Sequence, residues 1–201
     1  MTGKRRSARI LQAMLLIVCG SCVVGASARE WRLQSSHQEK DEVLETGKLD
    51  DLLKSLGTAI EGNSAEVGKQ AALFDSYKYK DYRFEGCGIG WREAHESSEA
   101  GKLLSKEIAE LRIPLKSLSQ TSVRVDEIGA SAYVVSFTTL KLKETIRARV
   151  RTTYEDGSEH DSGRLASGSG IFFQNEDIAR RVAKTLVLSI KRCQKDNQTS
   201  D

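Results

Sequence analysis

Residues 145–154, TIRARVRTTY, carry Arg147, Arg149 and Arg151 at a period of two, interleaved with Ile146, Ala148 and Val150. In an extended strand that period sends alternate side chains to opposite faces, so one face is apolar and the other is a row of three guanidiniums. Such a row can grip phosphate, sulfate or a partner's carboxylates through paired N–H donors, and Lys141 and Lys143 are near enough in sequence to add to it. The plainer account is a solvated outer face, its arginines paired with acids on a neighbouring strand or guarding an edge against aggregation. Arg147, Arg149 and Arg151 are the candidate ligand-binding residues.

A second chemical feature is the cysteine in YRFEGCGIGW, residues 82–91, which is open to reading as a nucleophile, a metal ligand or half of a cross-link. The chain has four cysteines, Cys19, Cys22, Cys87 and Cys193. Lys4, Arg5, Arg6 and Arg9 precede an apolar run at residues 10–24 and then Ala26-Ser27-Ala28, which is the pattern of a secretory signal peptide cleaved after Ala28. The run is shorter than the ~20 residues of a membrane-spanning helix, so no transmembrane span is expected in the mature chain. Cys19 and Cys22 leave with the signal. Neither has the aliphatic and small residues that lipidation requires around it, which makes a lipoprotein the minor alternative. Two cysteines remain in a secreted or periplasmic chain, and the expectation is a Cys87–Cys193 disulfide. A reactive Cys87 thiolate would need a base, and the nearest histidine in sequence, His95, belongs to no recognisable motif.

Other chemistry is thin. His160-Asp161-Ser162 has the residue types of a hydrolytic triad, but three consecutive residues cannot reproduce a geometry that needs separated elements. Glu155, Asp156, Glu159 and Asp161 lack the spacing of a calcium loop, and His37, His95 and His160 stand singly without zinc-ligand spacing. Asn197-Gln198-Thr199 fits a glycosylation sequon in a polar tail. No metal, cofactor or catalytic group is assigned. Loss of residues 1–28 removes four of the 31 basic residues and none of the 28 acidic ones, leaving 27 against 28 and a net charge of −1. A nucleic-acid binder would carry a basic excess, so none is expected as partner.

The elements that position these residues follow from periodicity. Residues 29–47 are polar and charged and read as a flexible leader before a single domain at 48–195, with 196–201 as a disordered tail. Leu49, Leu52, Leu53, Leu56 and Ile60 make one stripe of an amphipathic helix ended by Gly62. Residues 77–92 read as a strand in which Gly86 makes a bulge, turning Cys87, Ile89 and Trp91 inward with Tyr82 and Phe84. His95, Glu96, Ser97 and Ser98 read as a polar connection. Short strands follow around Ile113, Leu115 and Leu118, then Val123 and Val125, the first at a sheet edge if it holds Pro114. Residues 132–140 and 145–154 read as a hairpin, residues 155–170 as a mobile loop, and Ile171, Phe172 and Phe173 as a last short strand. Asn175 caps a closing helix with Ile178, Val182, Ala183, Leu186 and Ile190 on its apolar stripe and Cys193 beside it.

The ordered segments YRFEGCGIGW, IPLKSL with SVRVDEI, AYVVSFTT and FFQNEDIARRVAKTLVLSIKRC resemble a family of uncharacterised secreted bacterial proteins, over most of residues 48–193. The resemblance implies an α+β fold, a small antiparallel β-barrel or sandwich similar to the pleckstrin-homology-like barrel, closed by a C-terminal helix and preceded by one amphipathic helix. It implies the same cysteine bridge, and no functional residues carry over from it. The function expected is a non-enzymatic binding module for an envelope protein, an anionic lipid head group or another anionic ligand. A passive structural component of the cell envelope is the alternative, and an enzyme stands behind both.

Overall fold

The computed structural model describes residues 48–70, 72–129 and 132–195. The segments expected to be a signal peptide (1–28), a leader (29–47, with His37) and a tail (196–201, with Asn197) lie outside the described residues. In chain order the elements are α1 (Leu49–Ile60), β1 (Ser64–Gln70), β2 (Leu73–Glu85), β3 (Gly88–Glu99), β4 (Lys102–Pro114), β5 (Arg124–Ile128), β6 (Ala132–Thr138), β7 (Ile146–Tyr154), β8 (Glu159–Ala166), β9 (Gly168–Phe173) and α2 (Glu176–Lys195). Three short 3-10 turns lie between β4 and β7.

Among the described residues the fold is α+β, with two antiparallel sheets and two helices. One sheet has six strands in the order β1-β2-β3-β4-β7-β8, and the other has three in the order β5-β6-β9. Among the described residues the sheets do not close into one barrel, which corrects the barrel form of the expectation: β8 pairs only with β7, and β6 hydrogen-bonds to β5 and β9. Two contacts fasten the sheets together at Phe172, whose N–H donates to the Tyr79 hydroxyl at 2.8 Å and whose carbonyl accepts from Asn63 Nδ2 at 3.0 Å.

Helix α1 buries Leu52, Leu53, Leu56 and Ile60, the stripe its spacing predicts, and Gly62 follows it at φ +75°. Gly57 lies mid-helix because the Tyr82 ring covers it; an added Cβ would come within 2.4 Å of Tyr82 Cδ1. Helix α2 starts at Asn175, whose Oδ1 accepts the Ile178 N–H at 3.1 Å, and buries Ala179, Val182, Thr185, Leu186, Ser189, Ile190 and Cys193. Its carboxylates Glu176 and Asp177 and its cations Arg192 and Lys195 complement the helix dipole at each end.

Several expected connections are different. The bulge in β2 is at Asp81 and Tyr82, which together oppose Trp91 alone between the pairs Lys80↔Arg92 and Arg83↔Gly90. Asp81 takes φ +57°, a conformation that Asp tolerates better than most side chains. Inward residues therefore change parity, from Tyr77 and Tyr79 before the bulge to Tyr82 and Phe84 after it. Gly86, at φ +53°, instead forms with Cys87 the two-residue turn that joins β2 to β3, because Glu85 pairs with Gly88.

His95 and its polar neighbours belong to β3, which runs on to a hairpin turn at Ala100 and Gly101, both with positive φ as a type I′ turn demands. Pro114 ends β4 in the middle of the sheet, two residues beyond the last pair with β7, so its missing N–H costs no bond to that strand. Strands β6 and β7 lie in different sheets and form no hairpin. The expected loop at 155–170 contains β8 and the start of β9, with β7 and β8 joined through Asp156 and Gly157.

Candidate functional site

Cys87 and Cys193 are joined in a disulfide with their Cα atoms 5.7 Å apart. The bond ties the β2–β3 turn to the last turn of α2, rather than tying a strand to it. Around the bridge, the Leu115 N–H donates to the Cys87 carbonyl at 2.8 Å, and Gln194 Nε2 donates to the Leu118 carbonyl at 2.8 Å. Cys193 is fully buried, so this is a structural cross-link.

The arginine row lies on the face of the six-stranded sheet turned away from the core, because Ile146, Ala148 and Val150 take the buried alternate positions of β7. Register decides what each arginine meets. Arg151 faces Asp161 on β8 and is gripped by it, Nε to Oδ1 at 2.9 Å and Nη2 to Oδ2 at 3.2 Å. That contact raises the arginine's pKa and lowers the aspartate's. Arg149 faces Glu110 on β4, but Glu110 hydrogen-bonds Arg92 at 3.1 Å, which lowers the pKa of its carboxyl. Arg147 faces Arg112. Thus the row of three is unequal: Arg151 is neutralised, Arg149 shares an acid already taken, and Arg147 meets another cation.

The structure adds Arg83 to this group. Pairing runs from Arg83 through Gly90 and Arg112 to Arg147 across β2, β3, β4 and β7. All three arginines line one surface cavity of about 720 Å³ with apolar walls that include Phe84, Ile113, Pro114 and Leu165. Gly90 lies beneath Arg83; a Cβ there would be 2.5 Å from the Leu111 carbonyl oxygen and 3.6 Å from Arg83 Nε. Among the described residues Arg83, Arg112 and Arg147 form no ion pair, although Glu85 and Glu144 stand on the rim of the cavity. A smaller cavity of about 370 Å³ continues past Arg112, Arg147 and Arg149. Three guanidiniums from three strands around an open space are suited to an oxyanion, which would accept hydrogen bonds from each. Arg83 and Arg112 escape a linear reading because only the strand register brings them beside Arg147.

The inner face of the same sheet holds a polar cluster beyond the apolar core. Asp75 is buried, and its Oδ1 lies 3.3 Å from His95 Nε2. The His95 ring stacks on Tyr77 at 4.6 Å and an interplanar angle of 4°, and Tyr77 stacks in turn on Phe172 at 4.0 Å. The pKa of Glu93, the next inward residue along β3, is pushed up to about 7, first by burial, with Glu107 raising it further and Arg164 lowering it in part. Glu107 lies 3.7 Å from Arg164. Among the described residues the imidazole has no hydroxyl or thiol partner of the kind a nucleophilic mechanism needs, and no group of three His, Cys, Asp or Glu side chains is placed to hold a metal ion. His160, Asp161 and Ser162 alternate sides along β8 and cannot converge.

No protein-family model, curated protein or solved structure matches the chain. Among the described residues, no helix is long and apolar enough to cross a membrane.

Proposed function

We propose that this protein is a non-enzymatic module, secreted or periplasmic, that binds an anionic group on the outer face of its six-stranded sheet. One observation carries the reading: Arg83, Arg112 and Arg147 reach one cavity from three strands without an ion pair among the described residues. Guanidiniums are weakly hydrated and present fixed forks of donors, so an arriving oxyanion displaces little bound water and relieves the repulsion between neighbouring arginines. The location is supported by the signal-peptide pattern cleaved after Ala28 and by the disulfide, since such bonds persist in oxidising compartments. The resemblance to pleckstrin-homology-like proteins belongs to the same reading, supported by antiparallel strands followed by one closing amphipathic helix.

The test is a titration of the oxidised protein with inorganic phosphate and sulfate, followed by amide chemical shifts, against a variant carrying Arg83→Gln, Arg112→Gln and Arg147→Gln. Binding localised to β2, β4 and β7 and weakened about tenfold or more in the variant is the expected result. Equal titration of parent and variant would remove the arginine site and leave the passive envelope component as the better account.

A further inference from the structure

We infer that the turn at residues 140–143, Leu-Lys-Leu-Lys, is a membrane-contact element that seats the protein on an anionic lipid surface beside the arginine cavity. The inference rests on the anion-binding reading and names the source of the anion. Leu140 and Leu142 are 47% and 65% exposed, although each is a large apolar side chain. Lys141 and Lys143 alternate with them and are exposed too.

The backbone explains how the leucines are kept out of the core. Lys141 and Leu142 take φ +56° and +53°, a left-handed conformation that side chains other than Gly, Asn and Asp rarely adopt. Consecutive residues in that state persist only where their surroundings enforce it, and such outliers gather at functional surfaces. Here the base of the turn is clamped. The Leu142 N–H donates to the Thr139 carbonyl at 3.2 Å, the Lys143 N–H donates to the Leu140 carbonyl at 3.3 Å, and the buried Thr139 hydroxyl donates to the Lys143 carbonyl. The result is a rigid tip that holds two leucines towards solvent.

The turn is continuous with the cationic face, since Glu144 and Thr145 directly follow it and line the same cavity as Arg147. Leu165, 53% exposed, stands across from Arg147 on β8. The cavity lining sets Arg83, Arg112 and Arg147 against Glu85 and Glu144, and the exposed Lys141 and Lys143 of the adjoining turn add to a positive excess that complements anionic head groups.

The occupant is chosen by size and chemistry. A four-residue tip is far smaller than the roughly 800 Å² that each partner gives to a stable protein interface. It does suit interfacial insertion, in which a few apolar side chains enter the acyl boundary while neighbouring cations stay at the head groups and add their attractions.

The test is co-sedimentation of the oxidised protein with vesicles of phosphatidylglycerol and phosphatidylcholine, and with vesicles of phosphatidylcholine alone. The parent is expected to bind the anionic vesicles and to lose that binding as salt rises from about 0.1 M to about 0.5 M. The double variant Leu140→Ser, Leu142→Ser is expected to bind vesicles about tenfold more weakly or worse, with unchanged melting temperature and unchanged phosphate titration. In a separate Leu142→Trp variant the added indole fluorescence should shift to the blue on anionic vesicles. Vesicle binding by the double-serine variant equal to the parent's would overturn the inference, as would parent binding that ignores lipid charge or parent binding to phosphate without binding to any vesicle. Each of those results leaves the arginine cavity standing; the triple glutamine variant alone decides that.

Discussion

Arg112 on β4 stands directly opposite Arg147 on β7, the last pair of that ladder, and among the described residues neither guanidinium is held by a carboxylate. Like charges facing across antiparallel strands are unfavourable by a few tenths to about 1 kcal/mol. Replacing Arg112 with Thr, a good strand former, is therefore expected to raise the melting temperature while weakening anion binding. Added phosphate should raise the melting point of the parent and leave that of Arg112→Thr nearly unmoved, because only a ligand that prefers the folded state stabilises it. Scanning calorimetry with and without phosphate checks both.

Gly57 and Tyr82 make a second prediction. A glycine inside a helix normally costs about 1 kcal/mol relative to alanine, so Gly57→Ala would ordinarily stabilise α1. Here the new methyl meets the Tyr82 ring at 2.4 Å, and the expected change is a loss of about 1–3 kcal/mol. In a Tyr82→Ser background the same Gly57→Ala change should become stabilising. Urea unfolding of the four proteins in that cycle reads the reversal of sign directly.

Glu93 predicts a pH dependence. Its carboxyl is raised by burial from the ordinary 4.5 to about 7 in the folded protein, with Glu107 raising it further and Arg164 lowering it. A group that binds its proton more tightly when folded contributes stability below its unfolded value and loses that contribution as pH rises to the folded value. Stability should thus fall between about pH 4.5 and 7, by an amount on the order of 3 kcal/mol from this group. Glu93→Gln is expected to flatten the curve across that window and to be the more stable protein at pH 7.5. Unfolding midpoints measured at half-unit steps of pH test it, and a parallel slope in the variant would show that Glu93 is not the source of the dependence.

The Cys87–Cys193 bridge gives a fourth. Its 106-residue separation leads the chain-entropy account to about 4.7 kcal/mol of stabilisation, and native disulfides of small domains are commonly worth about 2–5 kcal/mol. Cys87→Ser with Cys193→Ser should lower unfolding stability by an amount in that range, measured in urea without reductant. A reduced parent should match the double variant.

Both helices were legible because a stripe at spacings of three and four is a signal that no partner is needed to interpret; the Leu52–Ile60 face and the Asn175 cap are read within one element. Strand pairing was less legible. Alternation in residues 145–154 shows one buried face but not which strand lies beside it, and β6 and β7 look like hairpin arms while facing different neighbours. The true hairpin signals were the two-residue turn at Ala100-Gly101 and the longer Glu155-Asp156-Gly157 turn between Tyr154 and Ser158, both hidden by the polar character of their flanks. Strand β8 is exposed along nearly its whole length, so it has no apolar alternation to detect. The shift expected at Gly86, between Phe84 and Cys87, is produced by the two-residue turn at Gly86 and Cys87, while the bulge at Asp81 resets a different alternation, from Tyr77 and Tyr79 to Tyr82 and Phe84, since Asp also enters the left-handed region at modest cost.

The site was half readable for the same reason. Arg147, Arg149 and Arg151 share a face by arithmetic within one strand, whereas the difference among them comes from Asp161, Glu110 and Arg112 across the ladder. Arg83 is more than sixty residues from Arg147 in sequence, and only two intervening strands make them neighbours.

The bridge also makes residues 87–193 a covalent ring, and β8 with its unpaired outer edge is part of that ring. A protease that cuts once in β8 opens the circle without releasing either fragment. The nicked protein would run as one species until a reductant separates it, so a single hydrolytic event need not dismantle the surface that the ring encloses.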